Sequence, residues 1–496
     1  MSLLGIDIGS SRCKGVVFDE QGTPLHVAAI SYTINTSAAD RAEVNANVFW
    51  SAVIEITKKL SAAVPNDPIR ALAISSHGET FVPVDKNGDP VAPAIMNSDN
   101  RAVAEVEALE KALGRERIYA ITGLPPHAMY SLCKIVWLKK HSPELFAKIS
   151  RFLSVEEFIL GRMGVDIGMN YSSAGRTMAF DIQKKTWSQE ILEAAGISKV
   201  YFNDPVPSGI VAGRLNASVA STLGLTAGTL VATGGHDQPC GALGAGVIAS
   251  GEVSDSAGTY ECLTAISNRP CNTPESLTYS LNSYPHVIQD QYVTLAFFPA
   301  GLVCRWFVEQ FCGSDRNVYD DLEENIMKKC IGPTGVCVTP HFVGACNPHW
   351  DVHATGAVIG LTPAVTRYHL YKAIHEGIAC ELNANIDVLE KLIGPFNAIR
   401  IFGGNSVSKF TVQLRANITG KIFELVSHSE ACCQGAAILA GMAAGIYKNA
   451  REGVRAMVRC QPAVHPNSQS MRDYEKQKRN YEKLYPSLNH IHIQEK

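Results

Sequence analysis

A strand–turn–strand unit occurs twice in this chain, and no other feature limits its fold as much. Residues 3–8 form a short apolar run, Gly9-Ser10-Ser11 a small turn, and residues 13–19 a second run. Roughly 250 residues later, 252–256, Ala257-Gly258-Thr259 and 260–266 repeat the plan. Short apolar runs about a glycine are hairpin signals, and both tips here carry hydroxyl groups. Each unit opens about half of the 496 residues. A single core stops growing near ~250–300 residues. The repeat therefore predicts two related halves, 1–247 and 248–496, with a cleft between them.

Apolar residues at three- and four-residue spacing predict helices over 102–113, 133–140 and 155–160. Longer ones are predicted over 367–389 and over the alanine-rich 429–444. Strands at 71–75, 230–233, 335–339 and 398–402 lie between them. Strands alternating with helices define an α/β class. From residue 467 onward the chain is polar and charged, which predicts a peripheral helix and a loose tail.

Several functions are excluded at this level. A net charge of −3 supplies no basic field for nucleic acid. No run of about 18 apolar residues marks a membrane span. Residue 3 enters a strand pattern at once, so no secretion leader is expected. The 14 cysteines contain no Cys-x-x-Cys pair, and the adjacent Cys432 and Cys433 are badly placed to bridge each other. Free thiols in a reducing cytoplasm are the expectation.

Four small-residue turns follow predicted strands. The first is Asp7-Ile8-Gly9-Ser10-Ser11-Arg12-Cys13-Lys14. Its backbone N–H groups and serines suit phosphate oxygens, Lys14 adds charge, and Asp7 can hold Mg²⁺ through water. The second is Gly234-Gly235-His236-Asp237, where a carboxylate after two glycines can take a proton from an alcohol. The third is Gly258-Thr259, and the fourth is Gly403-Gly404-Asn405-Ser406, where a base or ribose can lie against the backbone. Each has a plainer reading: a tight turn, or, for Asp237, a helix cap. Together they make a coherent nucleotide cleft. Phosphoryl transfer needs positioning, charge neutralisation and one base.

On these residues the chain resembles the FGGY carbohydrate kinases over nearly its whole length. Met129-Tyr130-Ser131-Leu132-Cys133-Lys134-Ile135-Val136-Trp137-Leu138-Lys139-Lys140-His141 is similar to the family's first signature. Gly356-Ala357-Val358-Ile359-Gly360-Leu361, with His369-Leu370 and Ala373-Ile374-His375-Glu376, is similar to the second, departing from it at His375. The resemblance implies two ribonuclease-H-like domains of the actin/Hsp70/sugar kinase type, closing around ATP and sugar. It implies that Asp7, Gly9, Ser10, Ser11 and Lys14 form one phosphate loop and Gly258 and Thr259 the other. Gly403, Gly404 and Ser408 would lie near the adenine, with Asp237 as general base. His375 is read as a packing change, not a catalytic group.

The implied sugar pocket draws on His77, Gly78, Glu79, Asp99, Arg101 and Asp237. His77-Gly78 is similar to the xylulose kinases. The spacing from Ile74 to Thr80 is closer to the glycerol kinases, which have Arg-Glu where Gly78-Glu79 stands. Asn97 falls where many members have Trp, and Gly344-Ala345-Cys346-Asn347-Pro348 replaces a loop that usually carries charge. The expected activity is ATP- and Mg²⁺-dependent phosphorylation of a ketopentose, polyol or sugar acid. A non-catalytic sugar or nucleotide sensor and a motor-type ATPase are the competing readings. The partners are the sugar and ATP, and the resemblance admits a homodimer.

Overall fold

The computed structural model, which describes residues 2–38, 40–165, 168–313, 318–489 and 491, holds two mixed sheets built to one plan. In the first, Ser2–Ile8 and Arg12–Phe18 form the expected hairpin. Pro24–Ser31 extends it antiparallel on one side. Ile69–Ser76 pairs parallel on the other side and is followed by Leu230–Ala232. In the second sheet, Val253–Ala257 and Tyr260–Ser267 form the hairpin, and Tyr292–Pro299 extends it. Ala398–Phe402 and Ile422–Leu425 follow in parallel on the other side. Parallel neighbours need a long crossover, which explains the helices between these strands. The strand expected at 335–339 is the exception. It appears as Cys337–Thr339 in a separate two-stranded sheet with Ala357–Ile359.

Side-chain alternation decides what covers each face. Leu4, Ile6 and Ile8 share a core with Phe49, Val53 and Ile56 of helix Asn47–Ala63. Leu3, on the opposite face, shares a core with Cys433, Ala436 and Ala437 of helix Ala431–Ala443. That helix comes from the second half of the chain. In return, helix Asp237–Gly244, the last of the first half, reaches the second sheet at Phe402. The two exchanged helices cross in backbone contact. A Cβ on Gly244 would lie 1.9 Å from the Ala431 carbonyl oxygen, and one on Gly435 1.9 Å from that of Cys240. The division at 247/248 separates two sheets, but not their covers.

Helix Ser468–Tyr481 is not peripheral as expected. Tyr474, Gln477 and Tyr481 are buried. Tyr474 and Gln477 donate to Glu376 (3.0 and 2.6 Å) and Tyr481 to Glu381 (2.5 Å), both on the long helix Arg367–Ile393. Buried carboxylates need such donors, and their partners lie about 100 positions away. The expected tail beyond residue 491 lies outside the described residues. All 14 cysteines are unbonded and ten of them are buried. Among the described residues no helix is long and apolar enough to cross a membrane.

Candidate active site

Gly235–His236 pairs with the end of strand Ile69–Ser76, so Asp237 emerges at the rim of the first sheet. It is the first residue of its helix, and no side chain caps that helix. Asp237 Oδ1 lies 3.1 Å from His236 Nε2. His236 Nδ1 lies 2.8 Å from the Tyr284 hydroxyl. Burial and the nearby Arg176 charge hold His236 well below the usual imidazole range, so the ring is neutral. A Tyr284 O–H donating to Nδ1 leaves the Nε2 side of the neutral ring facing Asp237. Burial, then the charges of Asp7 and Glu79, raise the Asp237 carboxyl to about 8. Its side chain keeps 25% of its surface open. An open carboxyl tuned near neutrality can act as a general base.

A buried chain of hydrogen bonds holds this segment from behind. Glu156 accepts from the Gly234 N–H at 2.6 Å and from the Asn170 amide. Asn170 accepts from the Ser172 hydroxyl at 2.6 Å, and that hydroxyl accepts from the His236 N–H at 2.9 Å.

Asp237 opens into a cavity of about 730 Å³ between the two halves. His77, Glu79, Asn97, His127 and Arg176 line one wall, and Tyr260, Phe297 and Trp350 the other. His77 Nδ1 donates to the Ile8 carbonyl at 2.8 Å. Its Nε2 is therefore a buried acceptor, and it has no protein partner, like Gln238 Oε1 on the same cavity. Glu79 has a left-handed backbone, φ +60°. Its carboxylate pairs with Arg176, whose Nε donates at 2.6 Å. Arg176 also donates to Asn282 at 2.9 Å and lies over the rings of Tyr130 and Tyr284 at 5.4 and 4.8 Å. Gly78 leaves room for both groups: a Cβ there would lie 2.7 Å from the His236 ring and 3.0 Å from Arg176 Cγ.

The structure does not bring Asp99 and Arg101 into this cavity. They pair with each other at 2.6 Å, with side chains 0% and 3% exposed, and Arg101 also pairs with Glu43. Asp99 further accepts from the Ala42 N–H at 2.8 Å. Their neighbours Asn97, Ser98 and Asn100 face the cavity instead. In the atypical loop, Gly344, Ala345 and Cys346 line the cavity. Asn347 fixes that loop by accepting from the Phe297 N–H at 3.0 Å and donating to Tyr279 at 2.7 Å.

A second cavity, about 910 Å³, is lined by Gly258, Thr259, Arg305, His375, Gly404 and Ser408. The second hairpin joins the two spaces, giving Gly258 and Thr259 to this one and Tyr260 to the other. Thr259 Oγ1 accepts from Arg305 at 3.2 Å. Gly403, at φ +99°, brings its turn against Ala257 of that hairpin. Ser408 uses its hydroxyl to cap helix Lys409–Thr419. His375 is packed against Cys304 and Tyr371 and pushed down to about 3 by burial, so it is neutral.

At the first hairpin the Gly9 N–H donates to Arg12 at 2.9 Å, which closes the tip bearing Ser10 and Ser11. Lys14, expected to face phosphate, has its charge engaged by Glu430 at 2.7 Å. Asp7 is raised to about 6, chiefly by burial, and accepts from Ser75 at 2.8 Å. The negative charge of Asp7 adds to the rise of the Asp237 carboxyl. Among the described residues no cluster of three or more His, Cys, Asp or Glu side chains forms a metal cage.

Sequence reasoning missed Arg176, Tyr284 and the Glu156 chain, and gave His236 no role. Arg176 stands alone among small residues and carried no signal. His236 stood beside the acid that was singled out.

Two sheets of one plan around a shared cleft make this a two-domain α/β protein with the fold of the sugar kinases. Gluconate kinase and ligand-bound xylulose kinase, both from Lactobacillus acidophilus, superpose with TM-scores of 0.91 and 0.90. They are 23% and 24% identical, over 99% of both chains in each case. The chain belongs to the FGGY family of carbohydrate kinases: residues 2–244 match the family's N-terminal domain and 253–444 its C-terminal domain. A xylulose kinase of Staphylococcus xylosus is 25% identical, covering 97% of this chain and 99% of that protein. A gluconokinase of Bacillus subtilis is 26% identical, covering 89% and 88%.

Proposed function

We propose that this kinase transfers the γ-phosphoryl group of ATP to a terminal hydroxyl of a neutral ketose, a ketopentose of the xylulose type. The carrying observation is the charge balance of the 730 Å³ cavity. Its one buried cation, Arg176, is committed to Glu79. His77 Nε2 and Gln238 Oε1 are buried acceptors without a protein partner, on residues that line this cavity. Hydroxyl groups satisfy such acceptors, whereas a sugar acid would bring a carboxylate with no free cation to meet it.

Asp237 accepts the hydroxyl proton as the oxygen attacks phosphorus, with the neutral His236 ring 3.1 Å from its carboxylate. Gly258, Thr259 and the Gly9-Ser10-Ser11 tip cradle the phosphates, and the Gly403-Gly404 turn borders the base. Mg²⁺ arriving with ATP neutralises phosphate charge, and Asp7 would hold it through water. A cytoplasmic location belongs to the same reading, supported by the unbonded cysteines.

Coupled ADP release tests this with ketopentoses, pentitols and sugar acids. Turnover is expected with ketopentoses, and a preference for gluconate would overturn the substrate assignment. Asp237→Asn should lose nearly all turnover while ATP still binds. Near-wild-type turnover in that variant would remove Asp237 as the base.

A further inference from the structure

Lys134 lies in the stretch of sequence closest to the family pattern, yet its side chain lines neither large cavity. It is wholly buried on helix Ser131–His141. Its ammonium donates to the Met96 carbonyl at 2.8 Å and to the Glu79 carbonyl at 3.2 Å. Among the described residues no carboxylate forms an ion pair with it. Burial pushes its ammonium down to about 7, a cost of holding the amine out of water that its two hydrogen bonds offset.

The two carbonyls belong to two different pieces of the sugar cavity. Glu79 follows His77 and Gly78, and Met96 precedes Asn97 and Ser98. A second tie joins the same pieces: the Asn97 N–H donates to Thr80 Oγ1 at 3.0 Å. Ser131 Oγ donates to the Glu79 carbonyl at 2.9 Å but touches only that piece. Glu79 is the residue with the left-handed backbone, a conformation that persists only when its surroundings enforce it.

We propose that Lys134 is a positioning residue for the sugar, a latch that fixes the spacing between the His77–Glu79 and Asn97–Asn100 walls. This rests on the assignment of the 730 Å³ cavity to the sugar. Lys134→Met keeps most of the stem and removes both donors. With the sugar that the wild type turns over best, its KM for sugar should rise on the order of tenfold or more. Its KM for ATP should change less than about twofold, because the latch touches no part of the second cavity. Thr80→Val should raise the sugar KM in the same direction, and Ser131→Ala by less. If Lys134→Met does not fold, Thr80→Val decides: a selective rise in sugar KM supports the latch, and no rise overturns it. An unchanged sugar KM in folded Lys134→Met, or equal rises in both KM values, also overturns it. A wild type inert toward every sugar would overturn the sugar assignment and the latch together.

Discussion

Glu156 illustrates how one proton can matter to the whole chain. Its carboxyl is buried behind the Asp237 segment, and burial raises it from 4.5 to about 8. The folded state therefore binds this proton more tightly than the unfolded chain does. Its contribution to stability is complete below about 4.5 and is lost as pH rises through about 8. A shift of that size corresponds, in order of magnitude, to about 5 kcal/mol. Glu156→Gln should flatten the fall in melting temperature between about pH 4.5 and 8, and an equally steep fall would exclude this origin. Gly78→Ala tests the other side of the site. Its Cβ would press on the His236 ring, so turnover should fall while ATP binding holds, as titration calorimetry can measure. That Asp237 and Gly258 would face a cavity was legible in the sequence because chemistry and turn glycines coincide there. Arg176 was not, because its meaning lies in Glu79, 97 positions away. Asp99 and Arg101 looked like a sugar-binding pair and prove to bind each other.

Among the elements, the crossing of helices Asp237–Gly244 and Ala431–Ala443 leaves no room for a side chain at its glycines. Gly435→Ala would drive a methyl group onto the Cys240 carbonyl at 1.9 Å. Overpacking of this kind costs about 1–3 kcal/mol or more, so the urea midpoint should drop, and a wild-type midpoint would refute the tight crossing. Periodicity marked some helices and not others: 367–389 was expected and Arg367–Ile393 observed, whereas Asn47–Ala63 and Val318–Lys329 were not expected. Their partners were not marked. An alanine-rich pattern announces a buried helix without saying which sheet it covers. Polar Tyr474, Gln477 and Tyr481 likewise gave no sign that carboxylates of another helix awaited them.

At the scale of the molecule, the repeated hairpin disclosed two sheets of one plan, because hairpins are local and their tips are distinctive. The exchange of helices was hidden, since it is a matter of tertiary pairing. It makes a prediction of its own. Fragments 1–247 and 248–496, expressed separately, should each fail to give a cooperative thermal transition, and mixing them should restore sugar-dependent ADP release. A fragment that melts cooperatively alone would argue that the exchanged cover is dispensable.

The same exchange sets a clock on synthesis. Strand Ser2–Ile8 is made first, and helix Ala431–Ala443, which covers one of its faces, more than 420 residues later. At roughly 5–20 residues per second, that face stays open for about 20 to 85 s on the ribosome. A nascent chain with a bare apolar sheet is a client for holding chaperones throughout that wait. A premature stop before residue 431 would leave an aggregating remnant rather than a smaller enzyme.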